Sequence, residues 1–196
     1  MTLDYLTAKK EFLNGNYQVE KFFKSNNFTL EYAYCQFFKG DLSNAIKEFQ
    51  KISDSDIRAD WAIKLIDIIN HNLKSFPSYL QVRNFLEVDI NLLLLAKKPE
   101  YIEEIINSSD FLYSINNEAY KLIGRTMFNN EFLDIALFYL LKAKNSFFKD
   151  PETHFLLARC YLQKGANDLA IKSLNYCLDI LPNYLPAQKS LKKISA

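Results

Sequence analysis

Residues 151–184, PETHFLLARCYLQKGANDLAIKSLNYCLDILPNY, are the most informative stretch of the chain. His154, Leu157, Ala158 and Tyr161 recur at three- and four-residue spacing and so share one face of a helix. Lys164-Gly165 ends that helix. Leu169, Ala170, Leu174, Cys177 and Leu178 form a second helical stripe, which Pro182 closes. Small residues at Ala158 and Ala170 let the two helix backbones approach, and Tyr161 and Leu174 fill the space beside them. The segment is a helical hairpin.

The same pattern occurs immediately before it, over 117–150, so that Asn117 aligns with Pro151 and Asp150 with Tyr184. Tyr120 falls on His154, Ile123 on Leu157, Gly124 on Ala158 and Met127 on Tyr161. Ala136 falls on Ala170, Leu140 on Leu174 and Ala143 on Cys177. One more shift by the same period sets Leu157 on Leu191, in a final stretch too short for a whole unit. The order Ala158, Tyr161, Gly165, Ala170, Leu174, Cys177, Pro182 resembles the tetratricopeptide repeat (TPR). Residues 117–150 resemble it too, with Glu131 at the glycine place and Phe148 at the proline place. Asn26 to Ala59 keeps Ala33, Gly40, Asp41, Ala45 and Phe49 but has Gln36 for the usual aromatic. Met1 to Ser25 keeps Ala8, Gly15, Asn16 and Tyr17, with Glu20 where alanine is expected.

Between these stretches the period is lost, but helices continue. Ile57 to Leu73 reads as one helix, broken by Phe76-Pro77, and Tyr79 to Ala96 as a longer one. Pro99 starts Glu100 to Ile106, and a short apolar piece spans Phe111 to Ile115. The resemblance implies an all-α fold: a right-handed α-α superhelix, a TPR-like solenoid of about twelve or thirteen helices. Tyr184 to Ile194, bearing Lys189, Lys192 and Lys193, reads as its C-terminal capping helix. The expected organisation is degenerate TPR-like hairpins over 1–98, then 99–196. The latter holds the repeats 117–150 and 151–184 and the cap 185–196, with a joint near Lys97–Pro99.

Composition agrees. The 196 residues suit one domain or a short repeat array, and 49% are hydrophobic, enough for a substantial core. Four glycines and five prolines supply too few turns for a many-stranded sandwich or barrel. Three cysteines without a close pair make no disulfide framework, and Met1 to Lys10 does not read as a signal peptide. Unbroken apolar runs such as Leu92 to Ala96 and Ile135 to Leu141 fall far short of the roughly 20 residues of a membrane span. A cytoplasmic location is expected, with no membrane span.

Residue types for catalysis are sparse. The only histidines are His71 and His154, and His154 holds the packing place of Tyr120 one unit earlier. Cys35, Cys160 and Cys177 stand where small packing residues belong, no Cys or His pair has zinc spacing, and each glycine is isolated. The reading is not an enzyme, with no cofactor and no metal. Three phenylalanine doublets, 22–23, 37–38 and 147–148, are expected to bridge neighbouring helices. If several stay exposed together they mark a partner surface or a homodimer contact.

Charge is more informative. Residues 1–116 carry 13 basic and 16 acidic side chains and the remainder 11 and 7, so a total of +1 hides a dipole along the chain. Arg125, Arg159 and Lys193 are one period apart and occupy one place in successive units, with Lys121 and Lys189 four residues before the first and last. In tetratricopeptide arrays first helices line a concave groove that binds a peptide or helix. The resemblance therefore implies a partner-binding groove of Lys121, Arg125, Phe128, Phe155, Arg159, Lys189 and Lys193. Its partner would be a protein or peptide segment, acidic with aromatic anchors. Leu122 and Leu156 stand where a chaperone-tail carboxylate clamp would need polar residues. Five cations interrupted by Glu118 and Glu152 make a stripe, not the field that nucleic acid requires. The expected function is a non-catalytic adaptor or scaffold. The alternatives are a secretion-type chaperone, or an accessory helical subunit of an enzyme complex such as a glycosyltransferase.

Overall fold

The computed structural model describes residues 3–194. Among them the regular structure is helical, with no strand. The chain divides into two compact units, Met1–Asn116 and Asn117–Ala196.

In the first unit, α1 (Tyr5–Leu13), a 3₁₀ turn (Tyr17–Val19) and α2 (Glu20–Ser25) lead into the hairpin α3 (Thr29–Lys39) and α4 (Leu42–Gln50). Then come α5 (Ile57–Ile69), α6 (Tyr79–Leu95), α7 (Pro99–Asn107) and α8 (Ser109–Ile115). Helix α5 packs on α4, α7 on both α5 and α6, and α8 on α6 and α7. Lys97–Pro99, where a joint was expected, is therefore a tight turn inside this unit. Starts follow local chemistry: Asp4, Asp41 and Asp56 each accept a backbone N–H of the first turn, and Ser78 with Gln81 forms a reciprocal capping box.

Left-handed residues set several of the stops. The helix expected to run from Ile57 to Leu73 ends at Ile69 because His71 adopts φ 52°. The Asn72 N–H then bonds the Asp67 carbonyl at 2.8 Å, closing the last turn. Lys97 at φ 54° ends α6 in the same way, its neighbour Lys98 donating to Leu93 at 3.0 Å.

The first unit's core is aromatic. Phe12 of α1 meets Phe23 and Phe38, and Phe37 stacks on Tyr101 of α7 at 5.9 Å, so the doublets 22–23 and 37–38 bridge helices as expected. Phe148, though partly exposed, packs on His154 and Tyr176 and so also bridges helices, whereas Phe147 stays largely exposed. Within this core lies a carboxyl group that the sequence did not flag. Asp89 of α6 is 2% exposed and accepts the Trp61 indole N–H at 2.5 Å, with the Tyr34 hydroxyl as its other partner. Burial pushes its pKa up to about 7, against the weaker opposing pull of these two hydrogen bonds.

In the second unit, α9 (Ala119–Asn129) pairs with α10 (Leu133–Ser146), and α11 (Pro151–Gln163) with α12 (Asn167–Ile180). Short connections make each pair an antiparallel hairpin. Helix α10 packs on α11, and α13 (Leu185–Ile194) closes on α12 through Ala158, Leu174, Cys177 and Ala187. Two successive helical hairpins followed by one more helix agree with the repeated pattern read from the sequence. Gly165 turns the second hairpin at φ 73°, and Glu131, one period earlier, does so at φ 68° despite its Cβ. No helix among the described residues is long and apolar enough to cross a membrane.

Gly124 sits at the α9–α10 crossing. A Cβ there would lie 2.8 Å from Leu140 Cγ and 3.1 Å from Leu140 N. Overpacking costs about 1–3 kcal/mol and alanine returns ~1 kcal/mol of helix propensity, so Gly124→Ala should destabilise the fold by about 1 kcal/mol, read from urea unfolding midpoints.

For Asp89, the folded chain keeps a proton that the unfolded chain releases between roughly pH 4 and 7. Its contribution thus favours folding on the acid side of that window and is lost as pH rises through 7. Asp89→Asn, which keeps an acceptor without the charge, should be more stable than the parent at pH 8, on the order of 4 kcal/mol. Below about pH 4, where the carboxyl is protonated in both the folded and unfolded chain, the two melting temperatures should nearly coincide.

Candidate functional site

The first-helix face of the second unit is laid out by the repeat. Down α9 the residues Glu118, Lys121, Arg125 and Phe128 precede or lie on one stripe. One period on, Glu152, Phe155, Arg159 and Leu162 do the same on α11. Lys189 and Lys193 continue the middle two rows on α13.

Equivalent places do different work. Lys121 is only 9% exposed, its ammonium 2.9 Å from Glu118, 3.1 Å from Asp150 and 3.3 Å from Glu152. Burial would lower its pKa, but Glu118 and Asp150 more than compensate, and it lies above the ordinary lysine value. Asp150 has two tasks. It caps α11, accepting from the Glu152 N–H and the Thr153 hydroxyl, and it holds Lys121. Burial pushes its carboxyl up, yet the Thr153 bond and Lys121 together keep it below the usual carboxylate range. Arg125 donates to Glu152 at 2.6 Å. Two of the expected groove cations thus belong to a cluster with the chain's own acids.

Arg159 is placed differently. Its guanidinium lies over the Phe128 ring, 4.4 Å from the centroid, and among the described residues no carboxylate pairs with it. It borders an open cleft of about 430 Å³. Phe128, Phe155, Leu162 and Ile194 give the cleft apolar walls, and Arg159, Gln163, Ser190 and Lys193 give it polar ones. Phe155 is steadied by Tyr184, ring centroids 5.4 Å apart.

The fold therefore brings together Phe128, Phe155, Arg159 and Lys193 of the seven residues expected to line a groove. Lys121 turns into the ion cluster, Arg125 is held by Glu152, and Lys189 is exposed but does not line the cleft. Leu162, Gln163, Ser190 and Ile194 were not anticipated. Each lies close in sequence to an expected site residue on its own helix, so the helical stripe could have found them. Leu122 and Leu156, at 3% and 4% exposure, are core residues.

The three cysteines and His154 are packed away. Burial pushes the Cys35 thiol up to about 12 and those of Cys160 and Cys177 to about 11. His154 is 1% exposed, wedged between Phe148 and Tyr176, and donates from Nε2 to the Phe148 carbonyl at 2.7 Å. Its Nδ1 is buried without a partner among the described residues, and burial holds the ring's pKa below the ordinary value. Among the described residues no group of three or more His, Cys, Asp or Glu could hold a metal ion.

No protein-family model matches the chain, and no curated protein matches it. Among solved structures it is similar to a chain of the crystal structure of the APC/C hetero-tetramer Cut9-Hcn1. The two are 18% identical with a TM-score of 0.49, over 97% of this chain and 40% of that one. This chain thus spans less than half of that neighbour's length. The repeat is visible within the chain itself: two helical hairpins, α9–α10 and α11–α12, whose sequences align end to end and which a packed terminal helix follows.

Proposed function

We propose that the protein is a non-catalytic protein-binding adaptor or scaffold whose second unit holds a partner segment in the Phe128–Phe155–Arg159–Lys193 cleft. The supporting observation is Arg159. A guanidinium stacked on a buried aromatic ring, without an acidic partner among the described residues, is a preoriented donor pair for a carboxylate. The adjoining apolar walls suit an aromatic or large aliphatic side chain beside that carboxylate. Such a segment would meet a surface already formed, with its binding energy concentrated in the Arg and aromatic contacts. A cytoplasmic site of action fits three unpaired, buried cysteines.

Fluorescein-labelled peptides bearing a Phe-Glu pair, titrated against the full chain, test this reading. Arg159→Glu should weaken binding about tenfold or more, since a partly desolvated charge pair at a hot spot is worth about 2 kcal/mol. Lys189→Glu, outside the cleft, should change it less than about twofold at physiological salt. Equal binding by parent and Arg159→Glu, with unchanged circular dichroism, would overturn the assignment.

A further inference from the structure

The first-helix face is graded in charge. At the N-terminal ends of α9 and α11, three carboxylates (Glu118, Asp150, Glu152) surround Lys121, and Glu152 also takes Arg125. Glu118 and Glu152 remain accessible, with about a third of each side chain exposed. At the other end the cleft presents Arg159 and Lys193, both exposed cations. Between the two ends stands Phe155, three residues after Glu152 and four before Arg159.

We propose that the partner segment is bipolar, carrying a basic residue that meets Glu118 and Glu152, an apolar side chain on Phe155, and a carboxylate on Arg159 and Lys193. This rests on the binding reading above and adds the sign of the ligand at each end. Charge complementarity selects it. A wholly acidic segment would lay like charge against the Glu118–Glu152 end, where three carboxylates outnumber the two cations, Lys121 and Arg125, that they hold. A wholly basic one would face Arg159 and Lys193. The spacing is fixed by the helix: seven residues from Glu152 to Arg159 span roughly 10 Å at 1.5 Å per residue. An extended chain covers that distance in about three residues. The recognised pattern is therefore a lysine or arginine and an aspartate or glutamate three positions apart, with an apolar residue between them. A face with opposite charge at its two ends also fixes the direction in which the segment lies, which a uniform row of cations would not.

The test uses the full chain and two labelled peptides, acetylated and amidated: Gly-Ser-Lys-Ser-Phe-Glu-Ser-Gly, and the same peptide with norleucine for lysine. By fluorescence anisotropy at low salt the lysine peptide should bind about fivefold more tightly, as expected for one partly exposed ion pair. The preference should shrink in Glu118→Gln and fade as salt is raised. Equal affinity of the two peptides for the parent chain, with both still weakened by Arg159→Glu, would overturn the bipolar partner and leave the cleft reading standing. Insensitivity of both peptides to Arg159→Glu would remove both. The comparison on the parent chain needs no variant to fold.

Discussion

The structure depends on how closely paired helices can approach. At the crossing of α9 and α10 the backbone of Leu140 comes so near α9 that only a hydrogen fits on Gly124. One period later the same place is Ala158, fully buried against Leu174 and Cys177. Ala136 and Ala170 on the second helices are likewise without exposure. Small residues at fixed places let large ones on either side interlock, and dispersion summed over that contact holds each hairpin. Because the approach recurs with the repeat, the outward faces of α9 and α11 recur as well, which puts Arg125 and Arg159 in equivalent places.

Equivalent places did not become equivalent sites. Arg125 has Glu152 on the next first helix within 2.6 Å, whereas the helix beyond Arg159 brings Ser190 and Lys193 instead. An arginine beside a carboxylate is satisfied within the chain. An arginine beside an aromatic ring and an open cleft keeps its donors directed outward. Among the described residues α13 brings no acid to Arg159, so the guanidinium borders the cleft without a carboxylate across from it. The buried Lys121 cluster, with Asp150 also capping α11, ties the two hairpins through charge as well as apolar packing.

The first unit obeys weaker local rules and relies on aromatic bulk. Trp61, Phe23, Phe37, Phe38 and Phe49 are fully or almost fully buried, and this core has admitted a carboxyl group at Asp89. Nothing in the local sequence around Asp89 distinguishes it from a solvated helix residue. Its burial comes from Trp61 on α5 and Tyr34 on α3, both distant in sequence. The helix from Ile57 likewise looked longer than it is, because the apolar pattern continues to Leu73 while the stop is made by a histidine in the left-handed region.

Local periodicity accounts for what could be read in one dimension: helices throughout, repeated hairpins in the C-terminal part, turn places such as Gly165, and small residues at the crossings. It also put Phe128, Phe155, Arg159 and Lys193 on first-helix faces, since side-chain direction follows from spacing. Which of the aligned cations have a carboxylate across from them was settled only by folding, because that depends on distances between different helices. So was the parting of the two compact units at Asn116–Asn117, since packing of α7 on α5 and α6 is a long-range contact that no local signal encodes.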